Sequence, residues 1–165
     1  MIIEKANKSH LEEILKIYER ARNYMRETGN PNQWKSTHPL PEVLIKDIEK
    51  GNLYVITNKN VIHGVFALFY GQDPTYGYIE GNWLNSGEYV TIHRVASAGK
   101  TKGILPLTIS YAQDQCDNVR IDTHHDNKIM QHLLSKLNFT KCGIIYLENS
   151  EPRIAYQYSK ESALK

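Results

Sequence analysis

The stretch Thr91-Ile92-His93-Arg94-Val95-Ala96-Ser97-Ala98-Gly99-Lys100-Thr101-Lys102-Gly103-Ile104 gathers residue types that handle protons and anions. Its first half alternates like a strand, its second half is rich in Gly, Lys and Thr, and a helical pattern follows. Such a junction converges unpaired backbone N–H groups on a helix N-terminus, where the helix dipole also favours negative charge. Lys100 and Lys102 add two cations, and Pro106 falls in the first helical turn, where its missing N–H costs little. The junction is predicted to hold a phosphate or pyrophosphate; an ordinary strand–helix turn with solvated lysines is the competing account. Ala98-Gly99-Lys100-Thr101 imitates the end of a nucleotide P-loop, but the full pattern needs glycine at position 94, and Arg stands there.

His93 is the candidate for proton transfer, because an unperturbed imidazole titrates near neutral pH. By the two-residue period of a strand, Thr91, His93 and Val95 are expected on one face. A structural histidine, bonded to a neighbouring strand or to Glu88, is the alternative. His124-His125-Asp126, with His132, invites a metal reading. Adjacent histidines on a strand point to opposite faces, so no metal is predicted there.

The elements that must position these residues follow from periodicity. A short strand over 1–6 precedes Ser9-His10-Leu11-Glu12, which has the form of a capping box. Leu11, Ile14, Leu15, Tyr18, Ala21 and Met25 then recur at helical spacing up to Gly29. After a loop at 30–34, a second helix is predicted over 41–50. Strands follow at 53–56 and 61–70, with Asn58-Lys59-Asn60 as their turn. Two more are predicted at about 76–84 and 88–97. A helix over 103–116, a strand at 119–123, a helix over 127–137 and a hairpin of 140–148 with 153–159 complete the chain. The order is strand, two helices, a meander, then β-α-β-α-β-β. It predicts an α/β fold with one mixed sheet and helices on both faces, with a switch from antiparallel to parallel pairing where ligands often enter.

Composition sets the outer bounds. The 165 residues suit one domain spanning 1–165, with 41% hydrophobic and 23% charged residues. A net charge of +2 argues against nucleic acid or an anionic membrane as the default partner. Two cysteines, Cys116 and Cys142, form no CxxC pair, which fits a reducing compartment. With no signal-like or membrane-spanning apolar run, a soluble cytoplasmic protein is expected. Monomer and homodimer are both left open.

Over nearly its whole length the chain resembles the GNAT superfamily of N-acetyltransferases, in particular a bacterial branch whose acceptors are mostly unassigned. The family's pyrophosphate loop has the form Q/R-x-x-G-x-G/A, and Lys100-Thr101-Lys102-Gly103-Ile104-Leu105 stands in its place, with Lys100 and Leu105 as departures. Ile121-Asp122-Thr123-His124-His125-Asp126-Asn127 and the run Met130 to Phe139 resemble the family's strand, asparagine and closing helix. Gln33-Trp34, Gly81-Asn82-Trp83 and Cys142-Gly143-Ile144-Ile145-Tyr146 add to the likeness.

The resemblance implies transfer of an acetyl group from acetyl-CoA to a primary amine of a small molecule or peptide, by direct attack. The loop Lys100, Thr101, Lys102, Gly103 and Ile104 is expected to hold the pyrophosphate. Backbone amides of Val95, Ala96 and Ser97 are expected to face the thioester oxygen. Asn127 is either a pantetheine contact or a plain helix N-cap. His93 is implied as general base, with Glu80 in reserve through water, and Tyr146 as a candidate acid. Leu134 occupies the place of the tyrosine that in many members protonates the leaving thiolate. Gln33, Trp34, Glu80 and Trp83 are expected to wall the acceptor site, Trp34 equally serving as a lid over the core. These walls lack a strong acidic cluster, which disfavours highly cationic acceptors. A CoA-binding sensor without turnover is the alternative function, and Leu134 and Leu105 favour it.

Overall fold

A computed structural model describes residues 1–164. The chain runs β1 (Ile2–Lys5), α1 (Leu11–Glu27), α2 (Pro41–Glu49), β2 (Leu53–Asn58), β3 (Val61–Tyr70), β4 (Glu80–Gly81) and β5 (Val90–Ser97). It continues with α3 (Ile104–Gln115), β6 (Asn118–Thr123), α4 (Lys128–Lys136), β7 (Thr140–Tyr146), β8 (Pro152–Ser159) and a final turn, α5 (Lys160–Ala163). The strands form one sheet in the order β1-β2-β3-β5-β6-β8-β7-β4. Among the described residues only the β5–β6 pair is parallel, as expected of strands joined through a helix. The predicted α/β fold with a mixed sheet is therefore what the chain adopts.

Both faces of the sheet are covered, which explains why β2 and β3 read as continuous apolar runs. Tyr54, Ile56, Phe66 and Leu68 pack with Ile104, Leu105 and Ile109 of α3 and Leu134 of α4 on one face. Leu53, Val55, Val65 and Ala67 pack with Ile14, Ile17 and Tyr18 of α1 and Leu44 of α2 on the other. Gly64 lets α3 approach closely: a Cβ there would lie 2.7 Å from Ile104 Cγ2.

Two local expectations are corrected. The N-terminal cap is Asn7, whose Oδ1 accepts from the Ser9 amide at 2.9 Å while His10 Nδ1 accepts from the Asn7 amide at 3.1 Å. A 3-10 turn over Lys8–His10 intervenes, so α1 starts after the expected Ser9 cap. The segment 76–84 is not a meander strand. Pro74–Tyr76 form a 3-10 turn under an Asp73 cap, and only Glu80–Gly81 is extended, pairing with β7 at the far edge. Its place is fixed by side chains instead. The buried Arg120 guanidinium lies 4.0 Å from the Trp83 ring and 3.9 Å from the Tyr89 ring, a cation–π contact on each, and donates to the Asn85 carbonyl at 3.0 Å.

Candidate functional site

Strands β5 and β6 are paired only at Val90–Val119 and Thr91–Arg120. Beyond those positions they part, leaving one edge of β5 unpaired by β6 from Ile92 to Ser97. A bulge accompanies the parting. Val65 faces Ala96 but Ala67 faces His93, so Phe66 opposes both Arg94 and Val95. Arg94 takes the extra step with φ +55°. A non-glycine residue held there costs on the order of 1–2 kcal/mol and persists only where its surroundings over-determine it. The Tyr18 hydroxyl donates to the Arg94 carbonyl at 2.7 Å, the Arg94 guanidinium donates to the buried Asp47 carboxylate, and it also lies 5.4 Å from the Phe69 ring. Burial pushes the Tyr18 hydroxyl pKa up, with Asp47 adding to this and Arg94 opposing it, so the phenol stays a donor.

The bulge breaks the two-residue period expected for this strand. His93, Arg94 and Val95 all line one cleft of about 380 Å³. A second cleft of about 540 Å³ lies along α1, α3 and α4, and the two share Met25, Val95, Asn127 and Met130. They meet where the strands separate.

The second cleft is an anion cradle at one end. Thr101, Lys102, Gly103 and Ile104 line it with Val95, Ala96 and Ser97. Gly103 caps α3 with φ +85°, and the first helical bond runs from the Leu107 amide to the Gly103 carbonyl. The amides of Ile104 and Leu105 precede that bond and have no helical acceptor, and Pro106 has none to satisfy. The donor set fits a pyrophosphate. Lys100 is turned away, with its Nζ 3.3 Å from Glu13 and 3.4 Å from the Ile62 carbonyl, and it does not line the cleft. Arg20 stands closer to the site than sequence spacing revealed. Its guanidinium occupies the space that a Gly99 side chain would need and donates to the Ser97 carbonyl at 3.2 Å.

In the first cleft His93 Nε2 lies 2.8 Å from Asp73 Oδ2, and Nδ1 lies 3.9 Å from Asp122 Oδ2. Tyr76 donates to the same Asp122 oxygen at 2.7 Å. Burial of Asp73 raises its pKa, but hydrogen bonds from His93 and Thr75 outweigh it and bring the carboxyl down to about 2. Asp73 is therefore an ionised partner that holds a proton on Nε2 and leaves Nδ1 with a lone pair. His38, also lining the cleft, is lowered to about 4 by burial and then by the charges of Arg94, Arg153, His93 and Arg22.

Gln33 and Trp34 line the first cleft as well. Gln33 Oε1 accepts from Asn30 Nδ2 at 2.9 Å, Asn127 Nδ2 at 3.1 Å, Thr123 Oγ1 at 3.2 Å and the His124 amide at 3.4 Å. Gln33 thus ties the α1–α2 loop to the β6–α4 turn. Trp34 is buried edge-on against Tyr18 at 5.6 Å, so one ring is both wall and core. Asn127 caps α4 by accepting from the Met130 amide at 3.1 Å and faces both clefts.

Other sequence candidates lie elsewhere. Tyr146 donates to Glu80 at 2.9 Å on the exposed β4–β7 edge, and neither residue lines a cleft. Trp83 donates to the Tyr76 carbonyl at 3.0 Å and belongs to the Arg120 stack rather than to the acceptor wall. Leu134 is fully buried in the core, and Met130 and Leu133 present α4 to the second cleft. His124 and His125 lie past the end of β6 rather than on a strand. Their rings stack at 4.4 Å, and with Asp126 they bring ligand-type atoms within 4.8 Å of one another. The opposite-face argument against a metal therefore does not hold. His124 Nδ1 is already engaged by the Asp126 amide at 3.0 Å. Sequence spacing missed Asp73, Asp122 and Glu151, three carboxylates that line the first cleft. Only Asp122 stood inside a segment carrying the family resemblance.

No protein-family model matches the sequence, and no curated protein is similar to it in sequence. Solved structures are similar. A GNAT-family acetyltransferase from Streptococcus agalactiae is 29% identical, with 96% of this chain and 95% of that one covered and a TM-score of 0.86. The structure of yncA from Salmonella typhimurium with its cofactor acetyl-CoA is 14% identical over 96% and 93% of the two chains, with a TM-score of 0.62. A chain of the NatC complex bound to Gag peptide and CoA is 14% identical over 96% and 97%, with a TM-score of 0.61. The resemblance carried by residues 100–105 and 121–139 thus extends to the whole molecule, and the chain has the fold of the GNAT acetyltransferases.

Proposed function

We propose that this chain transfers the acetyl group of acetyl-CoA to a primary amine of a small molecule or peptide by direct attack. The observation that carries this reading is the meeting of the two clefts at Val95, Asn127 and Met130, where β5 leaves β6. One cleft suits a phosphorylated thioester and the other suits its acceptor, and a reaction between them needs such a junction. Similar folds have been solved with acetyl-CoA and with CoA plus a peptide.

An alkylammonium near pKa ~10 is almost wholly protonated at pH 7, so the site must remove a proton before attack. His93 Nδ1 takes that proton while Asp73 holds Nε2. The amine nitrogen then bonds to the thioester carbonyl carbon, the carbonyl oxygen gains charge, and a β5 amide in the stretch Val95–Ser97 stabilises it. Collapse breaks the C–S bond, and the thiolate leaves with a proton from water or from the protonated amine. Leu134 supplies no proton, since its side chain has none to give and lies in the core. Leu134 and Leu105 both pack in the core, Leu105 also lining the CoA cleft, which leaves turnover to be measured against binding.

Calorimetry with acetyl-CoA tests the first half. Micromolar binding is expected for the native chain and loss for the double variant Lys102→Glu, Gly103→Asp. Folded native protein that does not bind would end the acetyltransferase reading. Binding without thiol release across a panel of amines would favour the sensor reading instead.

A further inference from the structure

The first cleft carries two chemically distinct sets of polar side chains. In the first set, Asp122 and His93, the open polar atoms are acceptors. Asp122 Oδ2 takes the Tyr76 hydroxyl, and Oδ1 has no donor among the described residues, while His93 Nδ1 is the open nitrogen. In the second set, Arg153 and Lys35, they are donors. Arg153 is 5% exposed, donates to Pro152 and Gln33 carbonyls at 2.9 and 3.1 Å and to Glu151 at 3.4 Å, and among the described residues keeps two of its five N–H bonds without an acceptor. Lys35 Nζ spends one of three on Glu151 at 2.8 Å.

Charge follows the same division. Arg22 and Arg26 donate to the carbonyls of His38 and Lys35 at 3.3 and 3.4 Å, which sets two further cations behind the segment that carries Lys35, where Glu151 pairs with both Lys35 and Arg153.

We infer that the acceptor is a small amine that also carries a carboxylate, its nitrogen placed at Asp122 and His93 and its carboxylate at Arg153 and Lys35. This rests on the acetyltransferase reading and narrows its substrate class. A cleft of about 380 Å³ suits an amino acid or a compact derivative rather than a long polycation. Polyamines such as spermidine present a second ammonium where the site offers donors, and are poor acceptors on this account.

Matched pairs test it. Thiol release from acetyl-CoA is compared for L-phenylalanine against phenethylamine, L-methionine against 3-(methylthio)propylamine, and L-lysine against cadaverine. In at least one pair the acid is expected to have kcat/KM about tenfold or more above its decarboxylated partner, the scale of one charge-assisted hydrogen bond. Lys35→Met, on the surface, and Arg153→Met, in the interior, are expected to narrow that gap through KM of the acid. Dipeptides with an acidic second residue, run alongside, separate a free α-carboxylate from an acidic side chain as the group that is bound. Equal or better turnover of the decarboxylated amines overturns the inference and leaves the acetyltransferase reading standing. If no pair turns over, calorimetry of CoA-loaded protein with N-acetylphenylalanine and N-acetylphenethylamine decides: binding of the acid alone supports the inference, and equal binding or none overturns it. Failure to bind acetyl-CoA itself counts instead against the underlying reading.

Discussion

Asp73 and His93 stand 20 positions apart and meet at 2.8 Å in the first cleft. Their pairing makes two measurements informative. Replacing His93 with Gln should lower kcat by about 10²–10⁴, as expected of a proton acceptor. Asp73→Asn should lower kcat less and leave KM for acetyl-CoA alone, because Asp73 contacts the ring without lining the second cleft. The same carboxyl bears on stability. Its pKa in the folded chain, about 2, lies below the ordinary 3.8, so its contribution is present above pH ~4 and is lost as pH falls through 2. That contribution is on the order of 2 kcal/mol at neutral pH. Urea denaturation at pH 7 and pH 2.5 should show the native chain losing part of this margin where Asp73→Asn does not.

At the scale of elements, the bulge in β5 is held from α1 and α2, and α3 is held against β3. Asp47→Ala would strand the Arg94 guanidinium in a largely buried position, with an expected cost of about 3–5 kcal/mol in chemical denaturation. Tyr18→Phe is the milder probe. It removes one hydrogen bond to the Arg94 carbonyl, should cost about 1 kcal/mol, and should reduce kcat while sparing acetyl-CoA affinity, since the amide of Val95 follows that carbonyl. Gly64→Ala works from the other side. Its methyl would press on Ile104 and displace the start of α3, so acetyl-CoA affinity should fall with a stability loss of about 1–3 kcal/mol, read by calorimetry and melting.

At the scale of the molecule, Gln33 joins three distant segments: its side chain accepts from Asn30, Thr123, His124 and Asn127, and its carbonyl accepts from Arg153. Gln33→Ala should leave partly buried donors unmatched, cost about 2–3 kcal/mol, and loosen the acceptor wall so that acceptor KM rises more than acetyl-CoA KM.

The sequence by itself determined the α/β class, the helices and strands with long apolar periods, and the Lys-Gly junction before α3, because these depend on neighbours along the chain. His93 and Asn127 stood out by residue type and local pattern, Gln33 and Trp34 by the family resemblance, and all four line the first cleft. Tertiary structure alone decided the rest. The segment 76–84 reads as a strand but is irregular, because Arg120 stacks against Trp83 and Tyr89 from a distant strand. The phase of β5 changes at Arg94, because Asp47 and Tyr18 hold a conformation that no local preference favours. Lys100, Tyr146, Glu80 and Trp83 were plausible by type, yet their partners take them out of the clefts. Asp73, Arg153 and Glu151 enter the site through folding contacts between segments far apart in sequence. Periodicity reports the face a residue occupies within its own element; which faces then meet is set by packing between elements, and the chemistry of this cleft lies in that packing.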